Sequence, residues 1–211
     1  MKKALMVGVV TVTLGPAGVT HAGNIVLTGH DNDFHYHVLS TDAKNALTAE
    51  FSFIRNGSIL PLLVLDAGAQ LVTAANDILG AANVVARAPS LVTAADFNPT
   101  VYRAFAVASD RDCGGCDNSS ADIASITAQS AAITGFLNAG GGILGLAGGA
   151  FDDLTYAYVT IHATNAEGFP PTFGYVQTAD GLALGLPAVN GDERITSLAN
   201  LAPLVCPPTT S

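Results

Sequence analysis

The 211-residue sequence predicts a single three-layer α/β domain around a mostly parallel sheet. Two observations carry that expectation. Apolar runs of strand length alternate with amphipathic stretches of helix length, which is the pattern of strands crossing over through helices. One run, Ile59-Leu-Pro-Leu-Leu-Val-Leu65, is apolar almost throughout, as a strand covered on both faces must be.

The elements follow in order. Met1-Lys-Lys3 leads into the apolar Ala4–Leu14, and Thr20 and Ala22 place small residues three and one before a cut ahead of Gly23, so residues 1–22 read as a secretory signal peptide. That apolar run is shorter than the roughly 20 residues a spanning helix needs, so no integral membrane segment is expected after cleavage. Residues 23–200 form the expected domain, and 201–211 a tail containing Pro203, Pro207 and Pro208. Asn24–Thr28 is the first strand. Residues 41–54 place Ala43, Ala46, Leu47, Phe51 and Ile54 on one helical face, with Ser40 or Thr41 as cap and Arg55-Asn-Gly57 as the stop.

After Ile59–Leu65, with Pro61 near its start, Ala69–Leu79 reads as a helix, Asn83–Arg87 as a strand, Pro89–Phe97 as a short helix or turn, and Tyr102–Ala108 as a strand. Leu-Val-Thr-Ala-Ala occurs at both 71–75 and 91–95, too short a match to indicate a solenoid. Ser119–Asn138 has helical spacing, and Gly140-Gly-Gly142 ends it and feeds the strand Ile143–Leu146. Tyr156–Ile161 and Thr172–Val176 read as strands of an antiparallel extension. The expected sheet is flavodoxin-like.

The formal net charge is −9, and becomes −11 without Lys2 and Lys3. The six remaining basic residues are scattered, so no positive field exists to recruit a phosphate backbone, and nucleic acid is excluded as a partner class. Tryptophan is absent, so any sugar-stacking platform must come from tyrosine or phenylalanine.

Polar chemistry concentrates in two places. His30-Asp-Asn-Asp-Phe-His-Tyr-His37 follows the first strand, at the sheet edge where open α/β proteins bind ligands. His30, Asp31, Asp33, His35 and His37 could hold a divalent metal such as zinc, iron or manganese, could contact a substrate, or could form a hydrogen-bonded structural loop. If extended, Asp31, Asp33, His35 and His37 share one side. Asp110-Arg-Asp-Cys-Gly-Gly-Cys-Asp117 follows a later strand onto the same edge, making Asp110 a candidate ligand-binding residue. In an exported protein Cys113 and Cys116 most simply form a disulfide, leaving Cys206 over. Ser119 or Ser120 reads as a helix cap.

The glycine-rich run at 140–149 lacks the lysine and hydroxyl of a phosphate loop, and its use is steric. His162 is a candidate catalytic residue alongside His30, Asp31 and Asp33, but no serine stands on the turn that a hydrolytic triad would use; Ser109 is an alternative hydroxyl at a strand end.

Asn24-Ile-Val-Leu-Thr-Gly-His-Asp31, Phe136-Leu-Asn-Ala-Gly-Gly-Gly-Ile-Leu-Gly-Leu-Ala-Gly148, Asp180-Gly-Leu-Ala-Leu-Gly-Leu and Gly191-Asp-Glu193 together resemble the class I glutamine amidotransferase-like superfamily, especially its ThuA-like branch in exported bacterial proteins. The resemblance implies an elbow after the strand ending at Leu146, where active members carry a nucleophilic cysteine. Here Ala147 stands there, and a methyl group forms no thioester, so cysteine-dependent glutamine hydrolysis is not expected. The branch is associated with sugar-related functions, which implies a saccharide or cell-envelope component as partner. The expected function is a secreted, periplasmic or cell-surface ligand-binding domain, with a metal-assisted hydrolase of a carbohydrate or related extracellular substrate as the alternative.

Overall fold

The computed structural model describes residues 22–28, 31–38, 40–110, 117–147 and 154–159, together with Ala183. Residues 1–21 of the expected signal peptide and the Thr172–Val176 strand lie outside these residues.

Among the described residues five strands form one all-parallel sheet: β1 (Ile25–Leu27), β2 (Leu62–Leu65), β3 (Val84–Arg87), β4 (Ala104–Val107) and β5 (Gly142–Gly145), in the spatial order β1-β5-β4-β2-β3. The registers are unbroken, with Val26 opposite Leu144, Leu144 opposite Ala106, Ala106 opposite Val64 and Val64 opposite Ala86. Helices flank the sheet, so the flavodoxin-like α/β arrangement holds.

Alternation along the strands sorts the core into two layers. On one face Leu62, Val64, Ala104, Ala106, Leu144 and Leu146 pack against α2 (Thr41–Arg55) and α3 (Gln70–Leu79) through Leu47, Phe51, Ile54, Leu71, Ala74 and Ala75. On the other, Leu63, Leu65, Phe105, Val107 and Ile143 meet α4 (Ser120–Thr127) and α5 (Ser130–Asn138) through Ile123, Ile126, Ile133 and Phe136. Both faces of β2, β4 and β5 are therefore covered, which is why these strands read as continuous apolar runs.

Local chemistry sets the boundaries. Ser40 Oγ accepts the Ala43 N–H at 3.2 Å and opens α2, and Asn56 closes it in the left-handed region at φ 47°. Ser119 and Asp122 form a reciprocal capping box at the start of α4. Two expectations are corrected. The single helix over Ser119–Asn138 is broken at Ala128–Gln129 into α4 and α5, which lets Phe136 turn onto Phe105 and Phe97. The strand expected over Tyr156–Ile161 is instead a 3-10 turn over Ala157–Val159, in which the successive residues Tyr158 and Val159 are both buried in the α4/α5 layer, where a strand would send neighbours to opposite faces.

Among the described residues no helix is long and apolar enough to cross a membrane.

Candidate functional site at the carboxyl edge

Chain order reverses between β2 and β4: the chain leaves β2 outward to β3, then returns to place β4 on the other side of β2. Open α/β sheets bind ligands at such a reversal. Here the crevice is filled from within. Asn118 Oδ1 accepts the Ala67 N–H at 2.9 Å, while its amide donates to the Leu65 carbonyl at 3.2 Å and the Ala108 carbonyl at 3.0 Å, tying the ends of β2 and β4 together. Asp117 accepts the Ala69 and Gln70 N–H groups at 2.8 and 2.7 Å, so the positive end of α3 is met by the chain's own carboxylate. Asp66 accepts from Gly68 and Val72 beside it; burial, with Asp117 adjacent, pushes its carboxyl up to about 6. Asn118→Ala leaves three main-chain groups without these partners, and a loss of about 2 kcal/mol in urea unfolding is expected.

The polar groups left over converge at the ends of β4, β5 and β1. The condition under which Asp31, Asp33, His35 and His37 would share one side is not met: Asn32–His37 is a helical turn, α1, and not extended. Helical spacing instead pairs Asp31 with His35, Oδ1 to Nε2 at 3.2 Å, leaves His37 exposed, and turns Asp33 fully inward. There Asp33 Oδ2 accepts the Ser109 N–H at 2.8 Å and Oδ1 the Phe34 N–H at 3.0 Å. Burial pushes the Asp33 carboxyl up to about 7, against the hydrogen bonds from Ser109 and Phe34 and with some help from the charge of Asp31.

Glu50 stands beside it. It occupies the inward face of α2 between Leu47 and Ile54, is 4% exposed, and accepts the Asn32 amide at 3.2 Å on Oε1. Its carboxyl is likewise pushed up to about 7 by burial, opposed by the Asn32 hydrogen bond and reinforced by Asp33. Asp110, directly beyond β4, is fully buried and bridges to Asn118. Tyr156 donates to the Thr28 carbonyl at 2.5 Å, closing the end of β1. Tyr158 lies over Gly145: a Cβ there would strike the Tyr158 hydroxyl and crowd Leu27 at 2.9 Å. Both phenols are raised well above the ordinary tyrosine value, by burial first, and both feel Asp110.

Ala147 lies at the end of β5, wholly buried in the layer that holds Tyr156 and Tyr158. His30, Cys113, Cys116 and His162 lie outside the described residues. The expected Cys113–Cys116 disulfide is withdrawn, since no two of the three cysteines come within disulfide or near-disulfide distance, and the bond requires sulfurs about 2.05 Å apart. Among the described residues no three histidine, cysteine, aspartate or glutamate side chains stand close enough to share a metal ion. Of the residues singled out from sequence, Asp33 and Asp110 thus reach the buried edge, and Asp31 and His35 form a separate, partly exposed pair.

Glu50, Asn32, Tyr156 and Tyr158 were not legible as site residues. Glu50 left one signal: a carboxylate in the Ala43, Ala46, Leu47, Phe51, Ile54 stripe, where helical spacing calls for an apolar side chain.

The chain matches no family model, no curated protein and no solved structure.

Proposed function

We propose that this chain is an exported amidotransferase-like domain that binds a ligand at the carboxyl edge of β1, β5 and β4 and does not hydrolyse glutamine. The observation that carries this reading is the group of buried carboxyls, Asp33, Glu50 and Asp110, gathered with two phenols at the edge where parallel sheets present their ligand sites. Burial of this much polarity costs stability unless it is matched, and a fold does not require it. Ala147 supports the non-hydrolytic half of the reading, because its methyl group sits where the resemblance to the ThuA-like branch would place a nucleophile. Metal-assisted hydrolysis has less support, since Asp31 and His35 offer two donors and zinc sites take at least three from protein.

Two measurements test the proposal. Incubation with glutamine is expected to release no glutamate. Titration of the isotope-labelled protein with soluble saccharides and peptidoglycan fragments, followed by amide NMR, is expected to shift Thr28, Ser109, Asp110 and Gly145 in a saturable way. Glutamate release above the buffer rate, or shifts confined to other surfaces, would reject it.

A further inference from the structure

We propose that α1 is a releasable strap over the ligand edge: it lifts from the ends of β5 and β4 while the sheet stays folded, and ionisation of the two carboxyls at its contact, its own Asp33 and Glu50 of α2, drives it off. The inference rests on the binding reading above and names how access to that edge is controlled.

Position makes α1 a strap. It follows the carboxyl end of β1, and its Asp33 accepts the N–H of Ser109, just past the end of β4, at 2.8 Å. In the order β1-β5-β4 those two ends are two strand spacings apart, about 10 Å. The segment therefore crosses the carboxyl end of β5, where the ligand edge lies.

Its attachment is polar. The two fully buried residues of α1 are Asn32 and Asp33, whereas α2 buries Leu47, Phe51 and Ile54 and α3 buries Leu71, Ala74 and Ala75. Of α1, Tyr36 alone joins the apolar layer beneath, and only as a partly buried member. The bonds that hold it are Asn32 Nδ2 to Glu50 Oε1 at 3.2 Å, Ser109 N–H to Asp33 Oδ2 at 2.8 Å and Tyr36 hydroxyl to Asp77 at 3.0 Å. Six residues are too few for a helix to persist unaided, so α1 exists by virtue of these contacts. An element with little apolar burial opens ahead of the core.

Two of the three bonds end on buried carboxyls. Around Glu50 and Asp33 stand Asn32, the Ser109 and Phe34 N–H groups, Asp31 and Tyr156; Asp31 pairs with His35 inside α1, and Asp77 of α3 meets Tyr36. Neither carboxyl has an ion-pair partner among the described residues. Burial raises both to about 7, and a lifted α1 returns Asp33 to water and uncovers Glu50. The closed strap thus holds both protons more tightly than the released one. Closure is strongest below the ordinary values of 3.8 and 4.5 and weakens as pH rises through about 7.

Amide hydrogen exchange of the whole protein, read by NMR at pH 6 and pH 8 and corrected for the intrinsic rate at each, tests the strap. Two adjacent amides give the contrast: Ala108 N–H is held by the Leu65 carbonyl at 3.0 Å within the sheet, and Ser109 N–H by Asp33 of the strap. The Ser109 and His35 amides are expected to exchange at least about 100-fold faster than Ala108 at pH 8. Opening at Ser109, a minority state throughout, should rise about 100-fold from pH 6 to pH 8, each carboxyl supplying about tenfold. Glu50→Gln should cut the rise to about tenfold, with retained Ala108 protection showing that the variant is folded. Ser109 as protected as Ala108, or equal opening at pH 6 and pH 8, overturns the strap and leaves the ligand titration to stand on its own. A strap that opens as expected while no fragment shifts Thr28 or Gly145 rejects the binding reading alone.

Discussion

Replacing Glu50 by glutamine is expected to stabilise the protein at pH 8 by on the order of 3 kcal/mol and to change it little at pH 4, the figure being the free-energy equivalent of the rise from 4.5 to about 7. The sign follows from linkage. The folded state holds the Glu50 proton more tightly than the unfolded chain does, so the stability this contributes is present in full below about 4.5 and is lost as pH rises through about 7. Above that, folding buries a charge that the unfolded chain keeps in water. Glutamine keeps the oxygen that accepts from Asn32 and removes the charge, so only the high-pH limb should respond. Asp33, also raised to about 7, keeps its own part of the slope in the variant. Urea unfolding at both pH values measures the difference directly. A variant displaced from the parent by the same amount at pH 4 and pH 8 would show that Glu50 titrates in the fold much as it does in water.

Gly142→Ala is expected to cost on the order of 4 kcal/mol, or to leave no folded protein, exceeding the roughly 1–3 kcal/mol of ordinary overpacking. The added methyl would collide with the Ile54 carbonyl oxygen and come within 2.7 Å of its carbon. That obstacle is main chain, in the last turn of α2, and no rotamer change relieves it. To make room, α2 must lift from the sheet and draw Leu47, Phe51 and Ile54 out of their layer. Gly135, exposed in α5 with nothing near its missing Cβ, is the control: Gly135→Ala should gain about 0.5–1 kcal/mol from helix propensity. Thermal unfolding of both variants decides the matter, and a loss below 1 kcal/mol at Gly142 would mean that the spacing of α2 from β5 is adjustable.

The strands were legible because a two-sided sheet writes itself as uninterrupted apolar sequence, as in Leu62–Leu65 and Ala104–Val107. The helices were legible where a cap and a stop bracket the period, as Ser40 and Asn56 do for α2. The repeated Leu-Val-Thr-Ala-Ala shows where local reading ends. At 71–75 it lies within α3. At 91–95 the same five residues make no α-helix, because Pro89 precedes them, Asp96 turns back to accept from Thr93, and Pro99 bars continuation.

The site was harder to read for a related reason. Its residues come from α1, α2, the end of β4 and the turn at Tyr156–Tyr158, which are brought together only by the folded sheet. Counting polar residues along the chain favoured His30–His37, whereas burial selected Asp33 from that stretch and added Glu50 from the middle of an apolar stripe. The helical turn over Asn32–His37 made that selection, since four-residue spacing pairs Asp31 with His35 and leaves Asp33 facing inward.

The position of β1 has a consequence for how the domain assembles. Among the described residues β1 pairs with β5 alone, Ile25 lying opposite Ile143. The earliest of the described strands therefore docks against the latest of them. By contrast β2, β3 and β4 are contiguous in both sequence and space, and their contacts close shorter loops. Until β5 has been synthesised β1 lacks this partner, so a central β2-β3-β4 unit is expected to condense first.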